Sequence, residues 1–79
     1  MRAAPDIPNI GSVLRAYRQS RGLSQEALGA RTGLHRTYIG MIERGEASPT
    51  IVAVAAILHV LGVGWRELGD ALQTELETR

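Results

Sequence analysis

Ser24 to Arg44, SQEALGARTGLHRTYIGMIER, is the stretch whose reading decides the fold. It predicts two short helices joined by a tight turn. The Ser24 hydroxyl is placed to accept an orphan N–H of a first helical turn, and Gln25-Glu26-Ala27-Leu28 then propagates a helix whose positive end favours the acid Glu26. Gly33, following Arg31 and Thr32, takes positive φ without steric cost, so it ends that helix and swings the chain by roughly 90–120° into the next. In the second helix Leu34, Tyr38, Ile39 and Ile42 recur at helical spacing and are expected to face inward. His35, Arg36, Thr37, Gly40 and Met41 are left for the outward face.

That outward face carries one fork-shaped donor, a hydroxyl, an imidazole, a small residue and a flexible apolar one, with no acid before Glu43. A helix-turn-helix lays its second helix in the DNA major groove, where its N-terminal side chains meet base edges. Arg36 is the natural reader. Its planar guanidinium matches the O6/N7 acceptor pair of guanine, a contact that discriminates against a wrong base by about 1–3 kcal/mol.

Outward from this stretch, Met1 to Asn9 holds Pro5 and Pro8 among small residues and reads as an extended arm. Ile10, Val13, Leu14 and Tyr17 then predict a first helix over about Ile10–Arg21, ended by Gly22. On the other side, Gly45 to Pro49 is a loop by composition, with Ser48 or Thr50 available to cap a fourth helix. Ile51, Val54, Ala55, Leu58 and Leu61 form one apolar face of that helix, and Val52, Ile57 and Val60 a second. A helix apolar nearly all round is buried on more than one side, so a second subunit is expected there. Gly62-Val63-Gly64 breaks it, and Trp65 opens a fifth helix to about Glu77 with Leu68, Leu72 and Leu76 in a stripe beside Ala71. The expected subunit interface is therefore Ile57, Val60, Trp65, Leu68 and Leu72.

The chain has 79 residues, no cysteine and a net charge of +1. One small all-α domain over residues 10–79 is implied, near the size at which a single core is only just sufficient. Residues 1–44 carry seven arginines against three acids, whereas residues 45–79 carry two against five. The N-terminal half thus suits a polyanion. The longest apolar run, Ile51 to Leu58, is far short of the roughly 20 residues of a bilayer span, and no basic-apolar leader opens the chain, so a cytoplasmic protein without membrane partners is expected. Two isolated histidines, His35 and His59, no phosphate loop and no paired carboxylates offer no catalytic constellation and no metal site. His59, on an apolar helix, reads as a satisfied core or interface residue.

Ile10-x3-Leu14-Arg15-x2-Arg18-x2-Arg21-Gly22-Leu23-Ser24-Gln25-x2-Leu28, Thr32-Gly33-Leu34, Tyr38-Ile39-x2-Ile42-Glu43-Arg44-Gly45, Pro49-Thr50 and Leu61-Gly62-Val63 resemble the phage-repressor (Cro/cI, or XRE) family of helix-turn-helix regulators. Within it, His35 to Ile39 followed by Ile42 to Gly45 is most similar to the controller proteins of restriction-modification systems. The resemblance implies a lambda-repressor-like domain of five helices that binds double-stranded DNA as a homodimer on a pseudo-palindromic operator, without cofactor or small-molecule effector. By the same resemblance His35, Arg36, Thr37 and Met41 face bases, Gln25, Tyr38, Arg44 and Ser48 face phosphates, and Arg18 and Glu43 form an ion pair joining the first helix to the end of the third. Gly40 and the Ala47-Ser48 loop depart from the pattern. The competing expectation is an antitoxin or accessory protein that uses the same fold to hold a protein partner.

Overall fold

The computed structural model describes residues 10–78, in the order α1 (Ile10–Ser20), α2 (Gln25–Thr32), α3 (Arg36–Glu43), α4 (Ile51–Leu61) and α5 (Trp65–Glu77). The arm expected over residues 1–9 lies outside them. Among the described residues every regular element is a helix.

Local chemistry sets the boundaries. The Ser24 hydroxyl accepts the Ala27 N–H at 2.9 Å, and the Thr50 hydroxyl accepts the Ala53 N–H at 3.0 Å, so α2 and α4 start on side-chain caps. Gly33 closes α2 at φ 79°, its N–H donating to the Gly29 carbonyl at 2.9 Å. Thr32 reinforces the turn: its hydroxyl donates to the Leu28 carbonyl and accepts the Leu34 N–H. The chain leaves α2 by this turn and enters α3 shortly after it.

One apolar cluster holds the helices together. Leu14 of α1, Leu28 of α2, Ile39 and Ile42 of α3, Val54, Ile57, Leu58 and Leu61 of α4, Val63 and Leu68 are all buried. Helix α1 packs on α3, α4 and α5, while α2 packs on α3 and α4, so the pair α2–α3 is backed on one side only. The approach of α1 to α3 is close enough to require Gly11, because a Cβ built there would lie 1.9 Å from the Ile42 carbonyl oxygen. That glycine lets α3 sit directly on α1.

The packing corrects the sequence reading at α4 and α5. Ile57 is 1% exposed and Leu68 3% exposed, so both belong to the subunit's own core and neither is available to a partner. The buried stripe of α4 is Ala53, Val54, Ile57, Leu58 and Leu61, whereas Ile51, Val52 and Ala55 face outward, Ile51 and Val52 being about three-quarters exposed. The expected face (Ile51, Val54, Ala55, Leu58) and the buried stripe (Val54, Ile57, Leu58, Leu61) both have i, i+3, i+4, i+7 spacing. On a helix with so little polar contrast the periodicity does not choose between them, and packing against α1 and α2 does. Helix α5 leaves α4 at 104°, with Trp65 exposed and Val60 and Leu72 half-buried at the edge of the core. No single helix among the described residues is long and apolar enough to cross a membrane.

Candidate nucleic-acid interface

The N-terminal turn of α3 forms the outward surface. His35 is the N-cap rather than a helical residue, with φ −71° and ψ 141°, and its Nδ1 accepts the Thr37 N–H at 3.0 Å. An imidazole that accepts at Nδ1 carries its proton on Nε2, so the outward edge of His35 is a donor. Arg36 and Thr37 follow, both exposed, and Met41 is half-exposed one turn on. The structure thus places His35, Arg36, Thr37 and Met41 along the N-cap and first turns of α3.

Tyr38 is half-buried with its ring against the core. Gly40 is not on the outward face. It is buried, and a Cβ there would meet Arg44 Nη1 at 3.0 Å and Gln25 Oε1 at 3.4 Å. Its lack of a side chain opens the path of these two side chains across α3, which a periodicity count within α3 alone does not register. Gln25 continues inward, and its Nε2 donates to Glu43 Oε1 at 3.0 Å. Gln25 and Arg44 are therefore neighbours, while Ser48 is exposed in the loop beyond.

Beneath this surface Arg18 and Glu43 form the expected pair. Arg18 Nε donates to Glu43 Oε2 at 2.7 Å and Nη2 donates to Oε1 at 3.0 Å, with both side chains under a tenth exposed. Arg18 Nη1 also donates to the Leu23 carbonyl at 2.6 Å, which ties the α1–α2 connection to the same charge. Burial pushes the Glu43 carboxyl up, but the hydrogen bonds from Arg18 and Gln25, aided by the charges of Arg18 and Arg15, outweigh it. The group sits below its ordinary value of 4.5. Glu43 thus links Arg18 of α1 to Gln25 of α2 and fixes the end of α3 against both.

Two acids that sequence reasoning did not join to the site stand beside its arginines. Glu26 Oε2 accepts from Arg36 Nη1 at 3.2 Å across an open cleft of about 520 Å³ between α2 and α3. Glu46 accepts from Arg44 through both carboxylate oxygens, at 3.0 and 3.1 Å. The hydrogen bond from Arg44 holds the Glu46 carboxyl below its ordinary range. Glu26 reads in sequence as a helix-dipole acid and Glu46 as a loop residue. The turn carries Arg36 back over α2, and no local spacing rule pairs residues so far apart in the chain. Among the described residues no group of three or more His, Cys, Asp or Glu is placed to hold a metal ion.

Comparison with known proteins places the fold. The HTH_3 helix-turn-helix model matches residues 14–68. The chain belongs to this helix-turn-helix family. Control protein C.SmaI of Serratia marcescens is 44% identical over 48 residues, which span 61% of this chain and 57% of that protein. The restriction-modification controller C.AhdI from Aeromonas hydrophila superposes with a TM-score of 0.74 at 37% identity, covering 82% of this chain and 98% of that one. The wild-type controller C.Esp1396I superposes at 0.84 with 29% identity, covering 91% and 94%. The same controller bound to a 25 base pair operator site matches at 0.78 with 30% identity, covering 87% and 91%. The five-helix, all-α architecture and the XRE-type family expected from the sequence are both found.

Proposed function

We propose that this helix-turn-helix protein is a sequence-specific, DNA-binding transcriptional regulator that acts as a homodimer on a pseudo-palindromic operator, in the manner of a restriction-modification controller. The observation that carries the reading is the exposed His35-Arg36-Thr37 turn at the start of α3, on a helix whose opposite side is buried through Ile39 and Ile42. A helix so held presents donors at major-groove depth and cannot rotate away from them. Arg36 takes a guanine, His35 offers its Nε2–H, Thr37 its hydroxyl, and Met41 an apolar contact suited to a thymine methyl. Gln25, Arg44, Tyr38 and Ser48 hold phosphates and set the register.

The second subunit docks on the accessible apolar residues of α4 and α5, namely Val60, Trp65 and Leu72. The two recognition helices then enter successive major grooves about 34–36 Å apart. The protein is no enzyme and uses no cofactor. It works in the cytoplasm, at the nucleoid, and its own concentration controls it through dimerisation.

Selection of bound duplexes from random DNA, followed by salt titration of the winner and sedimentation of the same sample, tests this reading. A palindromic winner bound by a dimer is the expected result. The exposure of Ile51 and Val52 favours one alternative, a module that holds a protein partner. A well-folded dimer that enriches no sequence would select it.

A further inference from the structure

We infer that Glu26 is a specificity-determining residue: it holds Arg36 as an oriented guanine reader and keeps the free guanidinium charge from binding phosphate without regard to sequence. The inference rests on the DNA-reading role of Arg36 proposed above and adds a residue from the other helix of the motif.

The geometry is asymmetric. Glu26 Oε2 engages Arg36 through Nη1, one corner of the guanidinium. The Nε/Nη2 edge is the other side of that plane, and it is a complete two-donor fork of the kind that matches guanine O6 and N7. A carboxylate at Nη1 therefore leaves a bidentate edge in place and restrains where the guanidinium sits. Arg44 is arranged the other way. Its Nε/Nη2 edge is the one bound to Glu46, so Arg44 must leave its acid before it can offer that fork to a phosphate.

Exposure decides when the Glu26 contact matters. In the free protein both side chains are mostly solvated, at 65% and 76% exposed, and a pair of this kind contributes little to folding. In the major groove water is displaced from the cleft between α2 and α3, and the attraction strengthens as the effective dielectric falls. Glu26 then lies among phosphates, where an unpaired carboxylate is unfavourable. Arg36 is the cation within reach. The pair therefore tightens on DNA when Arg36 points at a base and is broken when Arg36 swings to a phosphate, so the penalty falls on the sequence-independent mode.

The test uses the full-length dimer with Glu26→Gln, Arg36→Ala, the two combined, and Glu46→Gln as a comparison. Binding is read by fluorescence anisotropy on the selected operator, on operators with each other base at the guanine facing Arg36, and on random duplex across a salt series. Glu26→Gln is expected to bind random DNA more tightly, with a salt slope steeper by about 0.9 for each arginine charge released. Its preference for guanine at that position should fall by about three- to tenfold, within the discrimination one base contact provides. Preference elsewhere in the site should hold, and in the Arg36→Ala background Glu26→Gln should change the guanine preference no further. Glu46→Gln should tighten operator and random DNA alike. Unchanged guanine preference in a Glu26→Gln protein whose parent discriminates operator from random DNA overturns the inference. A parent that does not discriminate overturns the DNA reading itself.

Discussion

The buried Arg18–Glu43 pair and the exposed Arg36 mark the two kinds of charge in this molecule. Replacing Arg18 by Met leaves the Glu43 carboxylate in a site under a tenth exposed with Gln25 as its remaining side-chain donor, and the expected loss is about 3–5 kcal/mol. Urea unfolding at neutral pH measures it. The same carboxylate makes stability acid-sensitive, with a definite sign. Because the folded-state value of Glu43 lies below the ordinary 4.5, its contribution is fully present above the unfolded value and is lost as pH falls through the folded one. Unfolding free energy should therefore decline below about pH 4.5, and Glu43→Gln, already weaker at neutral pH, should decline less steeply over that interval. An equal acid slope in the two proteins would place the linkage elsewhere. Arg36→Ala leaves the fold alone, since its one described partner is the exposed Glu26. It should weaken operator binding by about 1–3 kcal/mol while retaining salt-dependent binding to random DNA. Equal loss on both DNAs would refute base reading by Arg36.

At the scale of elements, capping and glycine chemistry made the helix-turn-helix legible, because each signal acts on its immediate neighbours. Ser24, Gly33, Thr50 and Gly62 each stop or start a helix where local rules place them. What local rules do not encode is which face of α4 the other helices choose. That helix is apolar on every side but for His59, which is exposed in the single chain rather than in the core, so Ile57 reads as an interface residue until α1 and α2 are seen to cover it. The same limit hid the role of Gly40, which depends on Gln25 arriving from α2. The corrected faces give a paired prediction. Trp65→Ser, at a site 52% exposed in the single chain, should lower dimer affinity in sedimentation with little change in the folding of the subunit. Ile57→Ala, at 1% exposed, should cost about 2–5 kcal/mol and lose the folded domain before any effect on assembly is seen. The reverse pattern would return Ile57 to the interface and Trp65 to a packing role.

For the molecule as a whole, the arginines nearest the proposed DNA-reading helix are those that meet acids. The N-terminal 44 residues are strongly basic by count, yet Arg18 is buried on Glu43, Arg36 meets Glu26 and Arg44 meets Glu46, so three of those arginines are paired with acids. Of the proposed phosphate-binding side chains, Gln25, Tyr38 and Ser48 are neutral donors, and only Arg44 carries a charge that displaces a counterion. A dimer on its operator then neutralises few phosphates through charged groups, on the order of two to six, and log affinity should fall against log salt with a slope between about −2 and −5. Anisotropy on the selected operator across a salt series measures this directly. A slope steeper than about −7 would require further arginines on the backbone. Arg15 and Arg31, both exposed, are the described residues to replace first in that event. A shallow slope instead means that discrimination rests on short-range contacts of the α3 N-terminal turn, which fits a reader whose own arginine is held by an acid.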